Sequence, residues 1–162
     1  MTKFGDNSLA QVAPFRLLYS REGVSRDLTI KGRAMKATSV TDGKQLLVLL
    51  VGGFLEYYEV VGTEIKKIKD MQFHEAEAIH VEFAPPKIID HKPYSRFFAS
   101  AHTNYHIKIY SISHRSFDVV NSHNFKINIE SMVFLPLGDN MCLHVGAQSG
   151  KNFKWEMNSK TG

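Results

Sequence analysis

The chain has a single cysteine, Cys142, among 162 residues, which excludes an internal disulfide and suits a reducing compartment. It has one tryptophan and five prolines. No apolar run is long enough to cross a bilayer as a helix: the longest, QLLVLLVGGFL at 45–55, is too short and carries two glycines. The first fifteen residues hold no apolar stretch of signal-peptide length. These absences predict an intracellular protein, cytoplasmic or nuclear, with no membrane partner. Motifs for chemistry are missing too. There is no HExxH, no cysteine pair, no GxSxG and no Walker spacing. GAQSGK at 146–151 has a glycine-rich, lysine-ending look, but a strand-like segment follows it, and a hairpin turn explains it better.

Helical periodicity is scarce as well. The best candidate, HEAEAIHVEF at 74–83, begins with helix formers. It then alternates Ile79, Val81 and Phe83 against His80 and Glu82, which is the period of a strand. Short apolar runs recur along the chain with turn residues between them: RLLYS and RDLTIKG around a glycine-containing turn, QLLVLLVGG, FLEYYEVVG and TEIKKIKDM pivoting on Gly62, then AIHVEF, RFFASAH, HIKIYSI, FDVVNSH, IESMVFL, MCLHVGAQ and NFKWEM. Such spacing predicts an all-β fold. QLLVLLVGG is continuously apolar, as a strand covered on both faces would be.

The chain repeats itself. His74 is followed by Val81, Phe83 and Pro85, then FFASAH, then HIKIYSI. His123 is followed by Met132, Phe134 and Pro136, then LHVGAQ, then NFKWEM. A weaker copy occupies 35–60. Each period of about 45–50 residues reads as four strands, the inner two apolar on both faces and the outermost wet. An aromatic on the third strand (Tyr58, Tyr110, Trp155) supplies buried area between units. The proline of Phe-x-Pro is expected to end the first strand.

On these residues the chain resembles the WD40-type β-propeller family. His74 and His123 stand at the place of its Gly-His turn. Val81-Glu82-Phe83-Ala84-Pro85 and Met132-Val133-Phe134-Leu135-Pro136 resemble its V-x-F-x-P strand; Ile107-Lys108-Ile109-Tyr110 and Phe153-Lys154-Trp155 resemble its I-K-[IV]-W strand. No glycine precedes either histidine, the hairpin aspartate is absent, and Tyr110-Ser111 and Trp155-Glu156 replace Trp-Asp. The family's buried His–Ser/Thr–Asp–Trp relay is therefore incomplete. The resemblance implies antiparallel four-stranded blades at 35–72, 73–122 and 123–162. An N-terminal segment, 1–34, holds one or two strands that could close a blade. A closed β-barrel or β-sandwich is the alternative architecture. Three blades do not close a ring, so the expectation is either a piece of a longer propeller or an arc completed by another subunit.

His102, His106, His114 and His123, with His74 and His80, invite a metal reading, but no carboxylate stands at ligand spacing. They read as turn and strand-end histidines, with His74 and His123 partly buried. Cys142 sits in mid-strand as a small core residue. The carboxylates of EYYE and EAE alternate onto positions expected to be solvated. No catalytic residue, cofactor or metal is predicted. The net charge of +4 is spread out, and the basic run IKKIKD at 65–70 reads as a wet strand face. The expected function is therefore non-catalytic: a propeller acting as a protein–protein interaction scaffold in a multi-subunit complex. RNA or DNA binding by a basic rim is the alternative, with Tyr105, Tyr110, Phe153, Lys154 and Trp155 as stacking candidates. Propeller contacts generally use rim loops, here 70–77, 103–106, 121–128 and 148–152. The partner-binding residues expected there are Asn104, Tyr105, Asn124 and Lys151, with Tyr105 the one exposed aromatic.

Overall fold

The computed structural model describes residues 2–4, 7–21, 24–40, 44–62, 64–89, 92–113, 116–158 and 160. Every element among them is a β-strand. The first sheet pairs β1 (Thr2–Phe4), β2 (Asn7–Ala13), β3 (Arg16–Arg21) and β4 (Val24–Thr29) in chain order. The second pairs β5 (Ala34–Ser39), β6 (Gln45–Leu50), β7 (Phe54–Val61) and β8 (Glu64–Gln72). The third is built from β9 (Ala78–Phe83), β12 (Phe97–His102), β13 (His106–Ile112) and β14 (Phe117–Asn124), with a small hairpin of β10 (Lys87–Ile89) and β11 (Lys92–Tyr94) inserted after β9. The fourth has three strands, β15 (Ile129–Leu137), β16 (Asn140–Ala147) and β17 (Asn152–Asn158). All ladders are antiparallel meanders, so each sheet closes locally through short turns.

The four sheets stack face to face around three cores. Leu17, Tyr19, Leu28 and Ile30 of the first sheet meet Leu46, Val48, Leu50 and Tyr58 of the second. Leu47, Leu49, Leu55, Tyr57 and Phe73 meet Val81, Phe83, Phe98 and Tyr110 of the third. Phe97, Ala99, Ile107 and Ile109 meet Met132, Phe134, Leu143 and Val145 of the fourth. Alternation therefore has an unusual meaning here. Successive residues of β6 point to opposite faces, as in any strand, but both faces are covered: Leu46, Val48 and Leu50 serve one neighbour, Leu47 and Leu49 the other. All six residues of β6 are buried, each large aliphatic side chain contributing roughly 1.5–3 kcal/mol. The outer strands β8 and β14 are mostly exposed.

This stacked architecture excludes the barrel and sandwich alternatives. It also corrects the reading of the N-terminus. Residues 2–29 form four strands in a sheet of their own rather than one or two that close another blade, because Leu17, Tyr19, Leu28 and Ile30 are drawn into the core against β6. The expected turn between β3 and β4 includes Glu22 and Gly23, which lie outside the described residues. Pro85 follows the end of β9, as expected, but Pro136 lies inside β15. Among the described residues β15 pairs on one side only, so a missing N–H on its other edge costs no ladder bond there. The expected solvation of EYYE fails for Glu56, whose side chain is 0% exposed. Glu56 lies on a strand with two covered faces, and it accepts hydrogen bonds from Tyr58 (2.7 Å) and Lys67 (3.0 Å). Burial pulls the Lys67 ammonium down, but its bonds to Glu56 and Asp70 outweigh that and lift it above the usual lysine range.

Polar clamps join the sheets at their edges. Between the second and third, the buried Gln45 amide grips the backbone of Ser95 in both directions: Ser95 N–H donates to its Oε1 (2.6 Å) and its Nε2 donates to Ser95 O (3.0 Å). The same Nε2 donates to the Tyr57 hydroxyl at 2.9 Å. Lys69 of β8 reaches the carbonyls of Ser113 and Ser116 and lies 4.4 Å from the Phe117 ring centroid. Lys31 and Asp70 tie the first sheet to the second at 2.8 Å.

Candidate interaction rim

One end of the stack gathers the turns between second and third strands with the connectors between sheets. Backbone hydrogen bonds knit them in sequence: Ile30 to Phe15 O, Val51 to Arg33 O, Phe73 to Gly53 O, Thr103 to Glu77 O, Phe125 to Tyr105 O and Gln148 to Asn128 O, each 2.9–3.0 Å. The result is a continuous rim held by its own main chain.

The turn 103–105 lies in the middle of this rim. Tyr105 N–H donates to His102 O at 3.1 Å, and Tyr105 has φ +68°. The matching turns of the second and fourth sheets make the same bond, from Gly53 to Leu50 O and from Gly150 to Ala147 O, with φ +75° and +76°. The left-handed conformation suits glycine and costs an L-residue about 1–2 kcal/mol. In the third sheet a tyrosine occupies that position, and it is 42% exposed.

Of the four residues expected at the rim, three are brought together. The Asn104 carboxamide oxygen accepts from His106 N–H (3.4 Å), and the Asn124 Nδ2 lies 3.5 Å from His106 Nδ1. Asn124 Oδ1 also accepts from Lys126 N–H (2.8 Å), which holds Lys126 at φ +57°. Tyr105 connects to this group through Phe125 N–H. Lys151 lies on the turn of the neighbouring sheet, exposed, its carbonyl accepting from Ala147 N–H (3.0 Å), with no hydrogen bond to the other three. Tyr105 is not the one exposed aromatic: Phe15, on the β2–β3 turn of the same rim, is 58% exposed. Phe15 and Val51 carry no rim signal in the sequence, since Phe15 lies in a sheet the repeat does not mark and Val51 continues the apolar run of β6.

Below the rim lies a hydrogen-bond chain. Ala76 O can only accept, so His102 Nδ1 at 3.1 Å carries the proton and Nε2 accepts from Ser100 Oγ at 2.6 Å. The chain Ser100–His102–Ala76 ties the second strand of this sheet to the connector 73–77. Its histidine is drawn from a strand rather than from the turn positions of His74 and His123. His74 and His123, expected to be partly buried, are exposed. Burial pushes the Tyr110 hydroxyl up to about 12 and holds the His102 imidazole below the usual histidine range.

A pH dependence follows. His102 is depressed in the fold, and so is His80, by burial and then by Lys36. The unfolded chain therefore binds more protons below pH ~6.5, the ordinary histidine value. The contribution of these two residues is complete above that pH and is lost as pH falls toward their folded values. The thermal midpoint should drop between pH 7 and 5.5, and His102→Gln, which cannot charge, should flatten that drop. A midpoint independent of pH in this interval would contradict the neutral-histidine assignment.

Tyr110 is buried between the second and third sheets, which removes it as a stacking candidate, while Phe153 and Trp155 are half-buried. Among the described residues no three His, Cys, Asp or Glu side chains are placed to hold a metal ion. His114 lies outside the described residues.

Three solved structures share this stacking. BBS1N, crystallised in complex with ARL6DN, matches with a TM-score of 0.67 at 13% identity, over 90% of this chain and 44% of its own. The WD40 domain of SCAP from fission yeast matches at 0.68 and 10% identity, over 88% and 37%. The fold is a partial WD40-like β-propeller. Sqt1 of Saccharomyces cerevisiae matches at 0.65 and 17% identity, over 91% and 39%. The chain thus spans about two fifths of the length of these chains. No family model matches the sequence, and neither does any curated protein. The four sheets are propeller blades, and the rim is the blade end formed by second-to-third-strand turns and inter-blade connectors.

Proposed function

We propose that this propeller segment is a non-catalytic protein-interaction scaffold within a multi-subunit intracellular assembly, and that its rim is the contact surface. The observation that carries the reading is Tyr105. Two blades place glycine at a left-handed turn position, and the third places a half-exposed aromatic there at a conformational cost. Strain retained at an exposed position is the mark of a residue kept for what it touches. Tyr105 is the anchor, and Asn104 and Asn124 flank it as hydrogen-bonding groups. Lys151 contributes a charge from the adjacent blade. The rim carries both signs, as in the Lys108–Glu75 pair, which suits a protein surface better than a polyanion.

The two outermost faces of the described stack differ. On the far face of the fourth blade Val133, Leu135 and Leu137 are each 44–47% exposed, whereas the described residues on the far face of the first include Arg16 paired to Asp27 and Ser20 to Ser25. The aliphatic stripe suits a further blade packed against it. The test is to compare proteins retained from a native extract by the wild-type chain and by Tyr105→Gly. A specific set is expected to disappear from the variant; identical retention would refute the rim as the contact surface.

A further inference from the structure

The rim repeats a charge pattern as well as a backbone. After each of the first three outer strands the connector bonds back to the second-to-third-strand turn of its own blade: Ile30 N–H donates to Phe15 O, Phe73 to Gly53 O and Phe125 to Tyr105 O. The residue after each donor is a lysine or a histidine, Lys31, His74 and Lys126, and all three are exposed. The next blade then bonds its own turn to the far end of the connector, Val51 N–H to Arg33 O, Thr103 to Glu77 O and Gln148 to Asn128 O. These bonds place Arg33 next to Val51 and Lys126 next to Tyr105. The exposed Phe15, Val51 and Tyr105 thus follow one another on the turns of successive blades, with Arg33 and Lys126 among them and Lys151 on the turn of the fourth.

The charges of this row do not cancel. Within the turns and connectors of the rim the carboxylates are Glu75 and Glu77, and both are engaged. Glu75 is paired with Lys108, and Glu77 Oε1 accepts from Gly52 N–H at 3.4 Å. Lys31 is held by Asp70. Among the described residues Arg33, Lys126 and Lys151 have no ion pair. One exposed cation is ordinary and adds little to stability. Three of them spread along a row of exposed apolar residues make a surface whose complement is apolar and negatively charged. A nucleic acid fits it poorly, because Val51 has no ring to stack on a base, and Glu75 and Glu77 would face the phosphates.

We propose that the rim takes an acidic segment of a partner protein, laid across successive blades with its carboxylates on Arg33, Lys126 and Lys151 and its apolar side chains on Phe15, Val51 and Tyr105. The inference rests on the rim reading and names the chemistry of what the rim holds. The apolar residues supply the contact area, and the cations select the sign of the segment and speed its approach.

The test selects binders from a displayed library of random short peptides on the 162-residue chain. The recovered peptides should carry net negative charge and large apolar residues, and their retention should weaken as salt is raised. The combined variant Arg33→Glu, Lys126→Glu, Lys151→Glu should bind them about 10-fold more weakly, three rim pairs' worth. A control, Lys87→Glu, Arg96→Glu, Lys160→Glu, makes the same change in net charge away from the rim and should bind as the wild type does. None of the rim cations is paired within the fold, so the thermal midpoint of the rim variant should hold. Recovery of neutral or basic peptides, or of none, would overturn the proposal. So would equal losses in the two variants, which would make the effect one of net charge alone. Binding of a single-stranded oligouridylate that the rim variant abolishes would also overturn it, by assigning the cations to a polyanion. Tyr105→Gly separates this idea from the one beneath it. Peptides of no particular charge that this variant releases would keep the rim and remove the acidic partner; acidic peptides that the charge variant releases and Tyr105→Gly retains would keep the charge row and remove the tyrosine anchor.

Discussion

Tyr105→Gly is expected to weaken rim binding by at least ~30-fold, the scale of a hot-spot anchor worth ~2 kcal/mol, without destabilising the fold. The two halves of the result have separate causes. Removing the ring deletes the one side chain that the turn holds outward at φ +68°. Replacing tyrosine by glycine relieves ~1–2 kcal/mol of left-handed strain, against ~0.5–1 kcal/mol lost to the greater freedom of glycine in the unfolded chain. The thermal midpoint should therefore hold or rise slightly. Gly53 and Gly150 already show that the turn forms with glycine. Calorimetry on the purified variant, beside a titration with the captured partner, reads both quantities. A midpoint that falls by several degrees would make Tyr105 a structural residue and remove the argument for the rim.

Gln45→Leu is expected to cost about 3–5 kcal/mol, a fall of roughly 10 °C in thermal midpoint for a chain of this size. Leucine fills similar volume, so packing is nearly conserved, but both backbone groups of Ser95 lose their partner while remaining buried, at ~1–3 kcal/mol each. The Tyr57 hydroxyl keeps its bond to Glu59 at 2.6 Å. Ser95→Ala separates the terms. It preserves both main-chain bonds to Gln45 and removes only the hydroxyl that donates to Ala84 O and Phe97 O, so it should cost about 1 kcal/mol. If the two variants lose equal stability, the amide clamp is not what joins the second and third blades. The loss in Gln45→Leu should also be concentrated at that joint. Hydrogen exchange should quicken at β6 and β12 before it quickens at β16.

The chain's own sequence makes the third and fourth blades legible because each keeps its Val/Met-x-Phe-x-Pro strand and its aromatic at matching offsets. The first blade was hidden for a physical reason. Arg16, Ser20, Ser25 and Asp27 interrupt its apolar runs, and among the described residues much of its core contribution comes from four, Leu17, Tyr19, Leu28 and Ile30. Glu56 was misread because period-two alternation normally divides core from solvent. In β7 it divides one neighbouring blade from another, and a carboxylate there must find Tyr58 and Lys67. His102 was no more visible. It closes an apolar strand, and nothing local marks it apart from His106 or His114; only the approach of Ala76 across 26 residues makes it the buried one. The rim turns could be located from turn residues alone. That Tyr105 takes a glycine's conformation could not, since a strained backbone leaves no trace in composition.

The claim on which the rest depends is that neighbouring residues of one inner strand pack into different inter-blade cores. Side-chain NOE spectroscopy of the labelled 162-residue chain tests it most directly. Contacts are predicted from Leu47 and Leu49 to the Val81 and Phe98 group, and from Leu46 and Val48 to the Leu17 and Tyr19 group, with no cross-talk between the sets. Contacts from Leu46 and Leu47 to one shared group of side chains, or from Leu17 to Phe153 or Trp155, would contradict the stacked-blade arrangement.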